Sequence, residues 1–278
     1  MIDKQEIKVI GLDMDGTLLK DDKTISEFTE SVLKRAIEQG IHILPATGRV
    51  KIGIPECIRN MEGVRYGICS NGASVLDLAT GEELYSCRIS NEDAMKMIDI
   101  MEEYHTIYDA YIDGQGYSDE RFYHHLEDYN IEPEMMKMYV KTRNPIPSLR
   151  EYMSEGKYEV EKFNMFFAKP EERIQAMEDL SKLPFVKITS SLYNNIEINA
   201  ANCNKGTALL GFASKLGYEK EQVMACGDGS NDYEMILMSG VGVAMENGLD
   251  NIKEIADYIT VSNEQDGVAK AIEHFCFE

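Results

Sequence analysis

The stretch KVIGLDMDGTLLKDD, residues 8–22, changes character halfway along. Lys8 to Leu12 is short, apolar and β-branched, as a buried strand is, and it runs straight into Asp13, Asp15, Gly16 and Thr17. Side chains two apart on a strand point the same way, so Asp13 and Asp15 leave it as neighbours, and Gly16 lets the backbone turn aside. Two unit charges about 4 Å apart repel by roughly 4 kcal/mol at a near-surface effective dielectric. A cation, a shared proton or a solvated turn relieves that repulsion. With a divalent cation, Asp13 is a nucleophile or ligand and Asp15 an acid or base. Without one, Asp-x-Asp-Gly is a solvated turn or a calcium-type loop. The buried strand that precedes the pair favours a site.

At 278 residues and 44% hydrophobic, the chain can bury a full core and form one large domain or two. Its formal charge of -21 disfavours nucleic acid and anionic membranes as partners, so an anionic substrate needs a local cationic site. Six cysteines, at 57, 69, 87, 203, 226 and 276, form no CxxC or zinc-ligand spacing. They are expected to be free thiols in a reducing cytoplasm. Charged residues interrupt the N-terminus, and no apolar run has the length of a membrane span, so a cytoplasmic protein is expected.

Thr24-x-x-Glu27 has the form of a capping box for a helix carrying Phe28, Val32, Leu33, Ala36 and Ile37 at helical spacing, stopped by Gly40. A strand from Ile41 to Ala46 completes a βαβ unit, whose right-handed crossover brings Thr47, Gly48 and Arg49 to the same edge as Asp13. A hydroxyl, a flexible glycine and a guanidinium suit phosphate binding there, although ATGR alone is also an ordinary strand-to-helix turn. A third strand, Tyr66 to Cys69, ends in Ser70, Asn71 and Gly72, and Val75 to Leu78 with Glu83 to Cys87 reads as a hairpin around Thr80-Gly81.

From about Ser90 to Ser190 the sequence turns rich in Met, Tyr and charge, with helices expected near 91–104 and 170–182 and a strand at 162–168. Ile174, Met177 and Leu180 or Leu183 mark the apolar side of the second helix. This block reads as an α+β module inserted into a parallel-sheet domain. Its methionines at 95, 97, 101, 135, 136 and 138 are better explained by core packing than by a binding surface. The adjacent His124 and His125 share no helix face and are given no role.

The parallel pattern is expected to resume at Asn195 to Asn199. Lys205 and Gly206 then open a helix whose Leu209, Leu210, Ala213 and Leu216 face inward. A cation at a helix N-terminus opposes the dipole, and an anion held between the two would resolve the conflict; the alternative is a solvated lysine. Val223 to Cys226 is another buried strand, followed by the acidic, glycine-rich GDGSND at 227–232. Strands at 241–245 and 258–261, helices near 233–239 and 251–256, and a terminal helix from about Asp266 complete the chain.

In an open parallel sheet, ligands bind beyond the carboxyl ends of the strands where strand order reverses. One such crevice would collect Asp13, Asp15, Thr47, Asn71, Lys205, Asp228 and Asp232. Carboxylates beside a lysine and a threonine suggest a hard, oxygen-liganded cation, magnesium before others, with a phosphate group.

DMDGT at 13–17, TGR at 47–49, SNGA at 70–73, KG at 205–206 and GDGSND at 227–232 resemble the ordered motifs of the haloacid dehalogenase superfamily. The long insertion and the tail SNEQDGVAKAI at 262–272 resemble Cof-like phosphatases with a type IIB cap. The resemblance covers both core segments, and the cap by position and size only. It implies a Rossmann-like parallel-sheet core in two segments, 1–86 and 191–278, around an α+β cap at 87–190. It also implies a magnesium-dependent phosphatase of small phosphorylated metabolites, such as sugar or cofactor phosphates.

In that resemblance Asp13 attacks phosphorus and Asp15 serves as acid and then base. Magnesium is held by Asp13, the main-chain carbonyl of Asp15 and Asp228, with Asp232 orienting that shell. Thr47 and Lys205 bind the phosphoryl group, with Gly16, Gly48, Asn71 and Asn231 nearby and Arg49 farther from the strand end. NAANCNKG at 199–206 departs from the family by placing Cys203 and Asn204 where relatives often have a small glycine-containing loop. Asp113, Tyr117 and Arg121 are cap residues that reach over the crevice or are simply exposed. A phosphomutase and a non-catalytic phosphate-ligand sensor are the rival readings, and the oligomeric state, monomer or homodimer, stays open.

Overall fold

The computed structural model describes residues 6–190 and 192–277. The first five residues, which include charged ones on which the expectation of a cytoplasmic protein partly rests, lie outside the described ones. The chain forms two units, one of Met1–Ser86 with Asn204–Glu278 and one of Cys87–Cys203.

The strands before the second unit are β1 (Val9–Asp13), β2 (His42–Ala46), β3 (Tyr66–Cys69), β4 (Ser74–Asp77) and β5 (Glu83–Ser86). The second unit holds β6 (Thr106–Ile112), β7 (Gln115–Asp119), β8 (Arg143–Ile146), β9 (Lys162–Phe167), β10 (Val186–Thr189) and β11 (Asn195–Ala200). The first unit resumes with β12 (Val223–Gly227), β13 (Val241–Ala244) and β14 (Tyr258–Ile259).

In the first unit these strands form one sheet in the order β14-β13-β12-β1-β2-β3-β4-β5. It is parallel from β14 to β3 and antiparallel through β4 and β5. Successive connections run outward from β1 on one side to β2 and β3 and on the other to β12, β13 and β14. The order therefore reverses at β1/β12, where Val9 to Leu12 stand opposite Val223 to Cys226.

Every residue of β1 and β12 is buried because helices cover both faces. Ile10, Leu12, Ile43, Met224 and Val243 pack on one side with Val32, Leu33 and Ala36 of the helix Glu27–Glu38 and with the terminal helix Gly267–Ile272. Val9, Leu44, Ile68, Val223 and Ala225 pack on the other with Ala208, Leu209, Phe212 and Ala213 of the helix Lys205–Lys215. Each Val, Leu, Ile, Phe or Met among them stabilises by roughly 1.5–3 kcal/mol on full burial. Gly11 permits the second contact, since a Cβ there would lie 2.6 Å from a Leu209 methyl.

Two expected details are corrected. Ser26, not Thr24, caps the first helix: its hydroxyl accepts from the Thr29 N–H at 3.0 Å, whereas the Thr24 hydroxyl turns back to Asp22 at 2.6 Å. Leu216, expected to face inward, is the residue that ends its helix and is exposed, and Phe212 fills the inward position instead.

The second unit is a six-stranded sheet, β10-β11-β9-β6-β7-β8, antiparallel except between β7 and β8. Tyr108, Ala110, Phe163, Met165, Ile196 and Ile198 form its apolar face against the helices Asn91–Met101, Leu149–Ser154 and Pro170–Leu180. Met97 and Met101 are core residues there. Ile174 is exposed, contrary to its expected place, and Ala176 and Leu180 make the buried side.

The residues expected to return to the parallel sheet do not. Asn195–Ala200 pairs antiparallel with β9 and β10, which moves the boundary expected at 190/191 to Cys203/Asn204. Six residues with alternating apolar side chains fit either sheet, and only the pairing partner decides. The same alternation places Asp109, Lys162, Asn164 and Glu197 on the opposite face, where Lys162 pairs with Glu197 at 3.1 Å and Arg143 with Asp109 at 3.3 Å. Among the described residues, no helix is long and apolar enough to cross a membrane.

Candidate active site

Strand exits deliver the polar groups of the first unit. Asp13 ends β1, Thr47 follows β2, Asn71 follows β3, and Asp228 follows β12. Lys205 opens its helix behind the cap residue Asn204, whose Oδ1 accepts from the Thr207 N–H at 2.8 Å.

Lys205 is wholly buried, and its Nζ bonds Asp13 Oδ1 at 2.5 Å and Asp232 Oδ1 at 2.7 Å. Two carboxylates therefore take the place expected for an anion beside this lysine. Asp232 spends its other oxygen on the main-chain N–H groups of Asp228 and Gly229, at 3.1 and 2.9 Å. Both of its oxygens are thus engaged, and it fixes the loop on which Asp228 sits. Gly227 makes room, since a Cβ there would stand 2.5 Å from that of Asp232.

Asp13, Asp228 and Asp232 offer oxygens within 4.8 Å of one another. Burial, then the Asp232 charge, push Asp13 well above the usual carboxylate value, more than Lys205 draws it down. Burial and Asp232 likewise raise Asp228 to about 6, and its carboxyl hydrogen-bonds that of Asp13. For Lys205, burial alone would lower the value, but Asp13 and Asp232 carry it above the ordinary one. Three carboxyls around one ammonium leave an excess of negative charge that a proton or a cation must relieve. An all-oxygen donor set of this kind suits a hard divalent cation.

Asp15 stands apart from that trio. Its carboxylate is gripped by Arg49 at 2.5 Å and Lys23 at 2.9 Å. Burial would raise its value, yet these cations hold it below the usual range. Among the described residues the acidic cluster consists of Asp13, Asp228 and Asp232, without the Asp15 side chain. Arg49 is paired with Asp15, and its main-chain N–H meets the Thr47 hydroxyl at 3.2 Å across Gly48. The Asn71 N–H bonds the Thr47 carbonyl at 3.0 Å, and Asn231 reaches Asn71 at 3.4 Å.

Several contributors escaped the sequence reading. Thr17 donates to Asp228 Oδ1 at 2.7 Å, and Asn247 donates to the Gly16 carbonyl at 2.7 Å. Asn263 supports Asn247 through its main-chain N–H and holds the Leu19 carbonyl, both at 3.0 Å. Thr17 was visible within DGT, and Asn263 lies in the tail already singled out, but nothing in the sequence marked Asn247. Gly16 has φ +83°, and a Cβ on it would meet Asp228 Oδ2 at 2.5 Å. Ser70 and Asn71 both adopt left-handed backbone, at φ 53° and 59°, a conformation that costs of order 1–3 kcal/mol for such residues.

The three cap residues singled out have partners inside their own unit. Tyr117 stacks on Tyr152 with ring centroids 5.2 Å apart, and Arg121 bonds Asp119 at 2.9 Å. Asp113 turns the chain between β6 and β7 and faces Arg88 at 3.4 Å. Tyr117 and Arg121 are thereby engaged locally.

A family model of the haloacid dehalogenase-like hydrolases matches residues 10–272. The chain is 32% identical over 271 residues to the 5-amino-6-(5-phospho-D-ribitylamino)uracil phosphatase YcsE of Bacillus subtilis (strain 168), covering 97% of this chain and 96% of that protein. It superposes on a haloacid dehalogenase-like hydrolase from B. subtilis with a TM-score of 0.82 at 25% identity, covering 96% and 99% of the two chains. The haloacid dehalogenase subclass IIB sugar phosphatase BT4131 shares the fold, with a TM-score of 0.80 at 23% identity over 96% and 98%. The chain belongs to the haloacid dehalogenase-like hydrolases. Within them it is of the Cof-like group with a subclass IIB fold, and it is a phosphatase.

Proposed function

We propose that this phosphatase hydrolyses phosphomonoesters of small metabolites through an aspartyl-phosphate on Asp13, with Asp15 as acid and then base. The observation that carries this reading is the division of the DxD pair. Asp13 is buried against Lys205 and Asp228, whereas Asp15 is held separately by Arg49 and Lys23.

An Asp13 oxygen attacks phosphorus as the phosphorus–oxygen bond to the leaving alcohol breaks, and Asp15 gives that alkoxide its proton. Asp15, now a carboxylate, takes a proton from the water that attacks the phosphoryl group, and Asp13 is regenerated. Arg49 and Lys23 favour the ionised form of Asp15 and so suit the second half of the cycle. In the first half Arg49 must yield Asp15 for it to carry a proton. Thr47, Asn71, Asn231 and Lys205, with the Gly16 and Gly48 backbone, are the groups proposed to bind the phosphoryl oxygens.

Magnesium fits the donor set, with Asp13, Asp228 and the Asp15 main-chain carbonyl to hold it and Asp232 to orient Asp228. When bound it supplies the positive charge that lets an anionic nucleophile meet an anionic phosphate. The second unit is proposed to set substrate preference. YcsE acts on 5-amino-6-(5-phospho-D-ribitylamino)uracil, by its name, and a polyol phosphate of that kind is the first class to test here.

The test is a phosphate-release screen with purified protein and magnesium over sugar, polyol, cofactor and activated aryl phosphates. Magnesium-dependent release from a restricted set is expected. Isomerised sugar phosphate without free phosphate, or no release from any compound, would overturn the proposal.

A further inference from the structure

The chain passes between its two units twice, at Ser86/Cys87 and at Cys203/Asn204, and each passage opens or closes the second unit with a cysteine. The two passages are anchored to the same short segment. Ile89, two residues beyond Cys87, forms a reciprocal main-chain bridge with Val160 at 2.8 and 2.9 Å. The next residue, Glu161, receives the Asn199 side chain on its carbonyl at 2.8 Å, and Arg88 stands 4.0 Å from its carboxylate. Cys203 then closes a turn after β11, its N–H on the Ala200 carbonyl at 2.8 Å. This framework brings the Cys87 and Cys203 side chains into a mutual hydrogen bond. Cys203 is buried and Cys87 half-buried, and neither is in a disulfide.

We propose that Cys87 and Cys203 are an oxidation-sensitive pair that hydrogen peroxide converts reversibly into a disulfide joining the two passages. The Cys87 thiolate attacks one peroxide oxygen; the oxygen–oxygen bond breaks, hydroxide leaves, and Cys87 becomes a sulfenic acid. The Cys203 thiol loses its proton and attacks the Cys87 sulfur, expelling water. Two thiols have lost two electrons and one peroxide has become two waters. The order follows from exposure and from proton affinity: the hydrogen bond to Cys87 and burial both raise the Cys203 thiol, so Cys87 reacts first and Cys203 resolves it. Of the remaining four cysteines, Cys69 and Cys226 are buried in the first unit, Cys276 is half-buried near Cys226, and Cys57 is exposed. The resulting bond would close the whole second unit into one covalent ring at its attachment to the first.

Peptide mapping of the full chain tests this without reference to phosphatase activity. The protein is treated with hydrogen peroxide, alkylated under denaturing conditions and digested. A peptide pair joining Cys87 to Cys203, about 2 Da lighter than its reduced parts and lost on adding dithiothreitol, is the expected result. Cys57→Ser should retain the pair. Cys203→Ser should leave Cys87 as a sulfenic acid that dimedone traps, and the wild-type map decides if either variant fails to fold. Cys203 joined to a different cysteine, Cys87 carried to sulfinic acid beside a reduced Cys203, or both thiols fully alkylated after peroxide would overturn the proposal.

Discussion

Burial and two neighbouring carboxylates drive Asp13 toward holding a proton, while Arg49 and Lys23 drive Asp15 toward losing one, although the two residues are separated only by Met14. Met14 is buried in the core and fixes the strand exit between them. Their substitutions should therefore differ in kind. Asp13→Asn is expected to lower phosphate release by on the order of 10⁴-fold or more, since it removes the nucleophile. Asp15→Asn should cost about 10²–10⁴-fold through lost proton transfer, and it should leave Asp13 able to be phosphorylated by substrates with good leaving groups. Stopped-flow release from an aryl phosphate separates the two, and equal loss of the phosphorylation step in both variants would contradict the division of roles. The spacing showed this pair as crowded, and the resemblance gave its members separate roles, but neither showed why their proton affinities differ. The inequality comes from Arg49, Lys23, Lys205 and Asp228, which only the fold brings close.

At the scale of elements, the turn after β3 and the start of the helix Lys205–Lys215 behave as one part. Gly72 has φ +97°, and a Cβ there would stand 2.2 Å from the Asn204 carbonyl oxygen, next to Lys205. Gly72→Ala is expected to destabilise by about 1–3 kcal/mol and to misplace Lys205. Chemical denaturation should show a lower midpoint, and phosphate release should fall more steeply than the folded fraction. Release that tracks the folded fraction alone would show that the turn supports the fold and not the site.

Elements of this kind were unevenly legible. The short, mainly apolar runs of β1, β2, β3 and β12, each ending in glycine or polar residues, fit buried parallel strands, so both the first unit and its polar edge could be read. β11 could not be assigned to its sheet, because its alternation fits an antiparallel partner as well as a parallel one. Asn247 was equally hidden, since an exposed asparagine carries no sign of the distant carbonyl it holds.

At the scale of the whole molecule, the excess carboxylate charge ties stability to pH and metal. Asp13 and Asp228 bind protons more tightly folded than unfolded, Asp228 at about 6. The stability this provides is full below the ordinary carboxylate value and is lost as pH rises through the folded values. Asp15 has the opposite sign and matters only in more acidic solution. The metal-free protein should therefore melt lower at about pH 8 than at about pH 5, and the gain from magnesium should be larger at the higher pH, where no proton competes. At one hundred times its dissociation constant, a ligand adds about 2.7 kcal/mol, enough to shift a melting curve by several degrees. Scanning calorimetry with magnesium and with a chelator measures this, and an equal gain at both pH values would count against a metal bound by these carboxylates.

Exchange of residues 87–203 for the corresponding unit of a relative should change substrate preference and leave magnesium dependence in place. Unchanged preference would remove specificity from the second unit.

The nucleophile itself is accessible to a single experiment. One turnover in heavy-oxygen water, with enzyme in excess over substrate, should leave the hydrolysed phosphate carrying solvent oxygen. When Asp13 attacks phosphorus and water then attacks the phosphoryl group, that label enters phosphate and the Asp13 carboxylate remains unlabelled. Water attack at the carboxyl carbon would put the label in Asp13. Both routes require a phosphorylated Asp13, so acid quenching within the turnover and peptide mapping should recover phosphate on the peptide containing Asp13. Complete turnover of a rapidly quenched sample with no phosphorylated Asp13 at any time would contradict it.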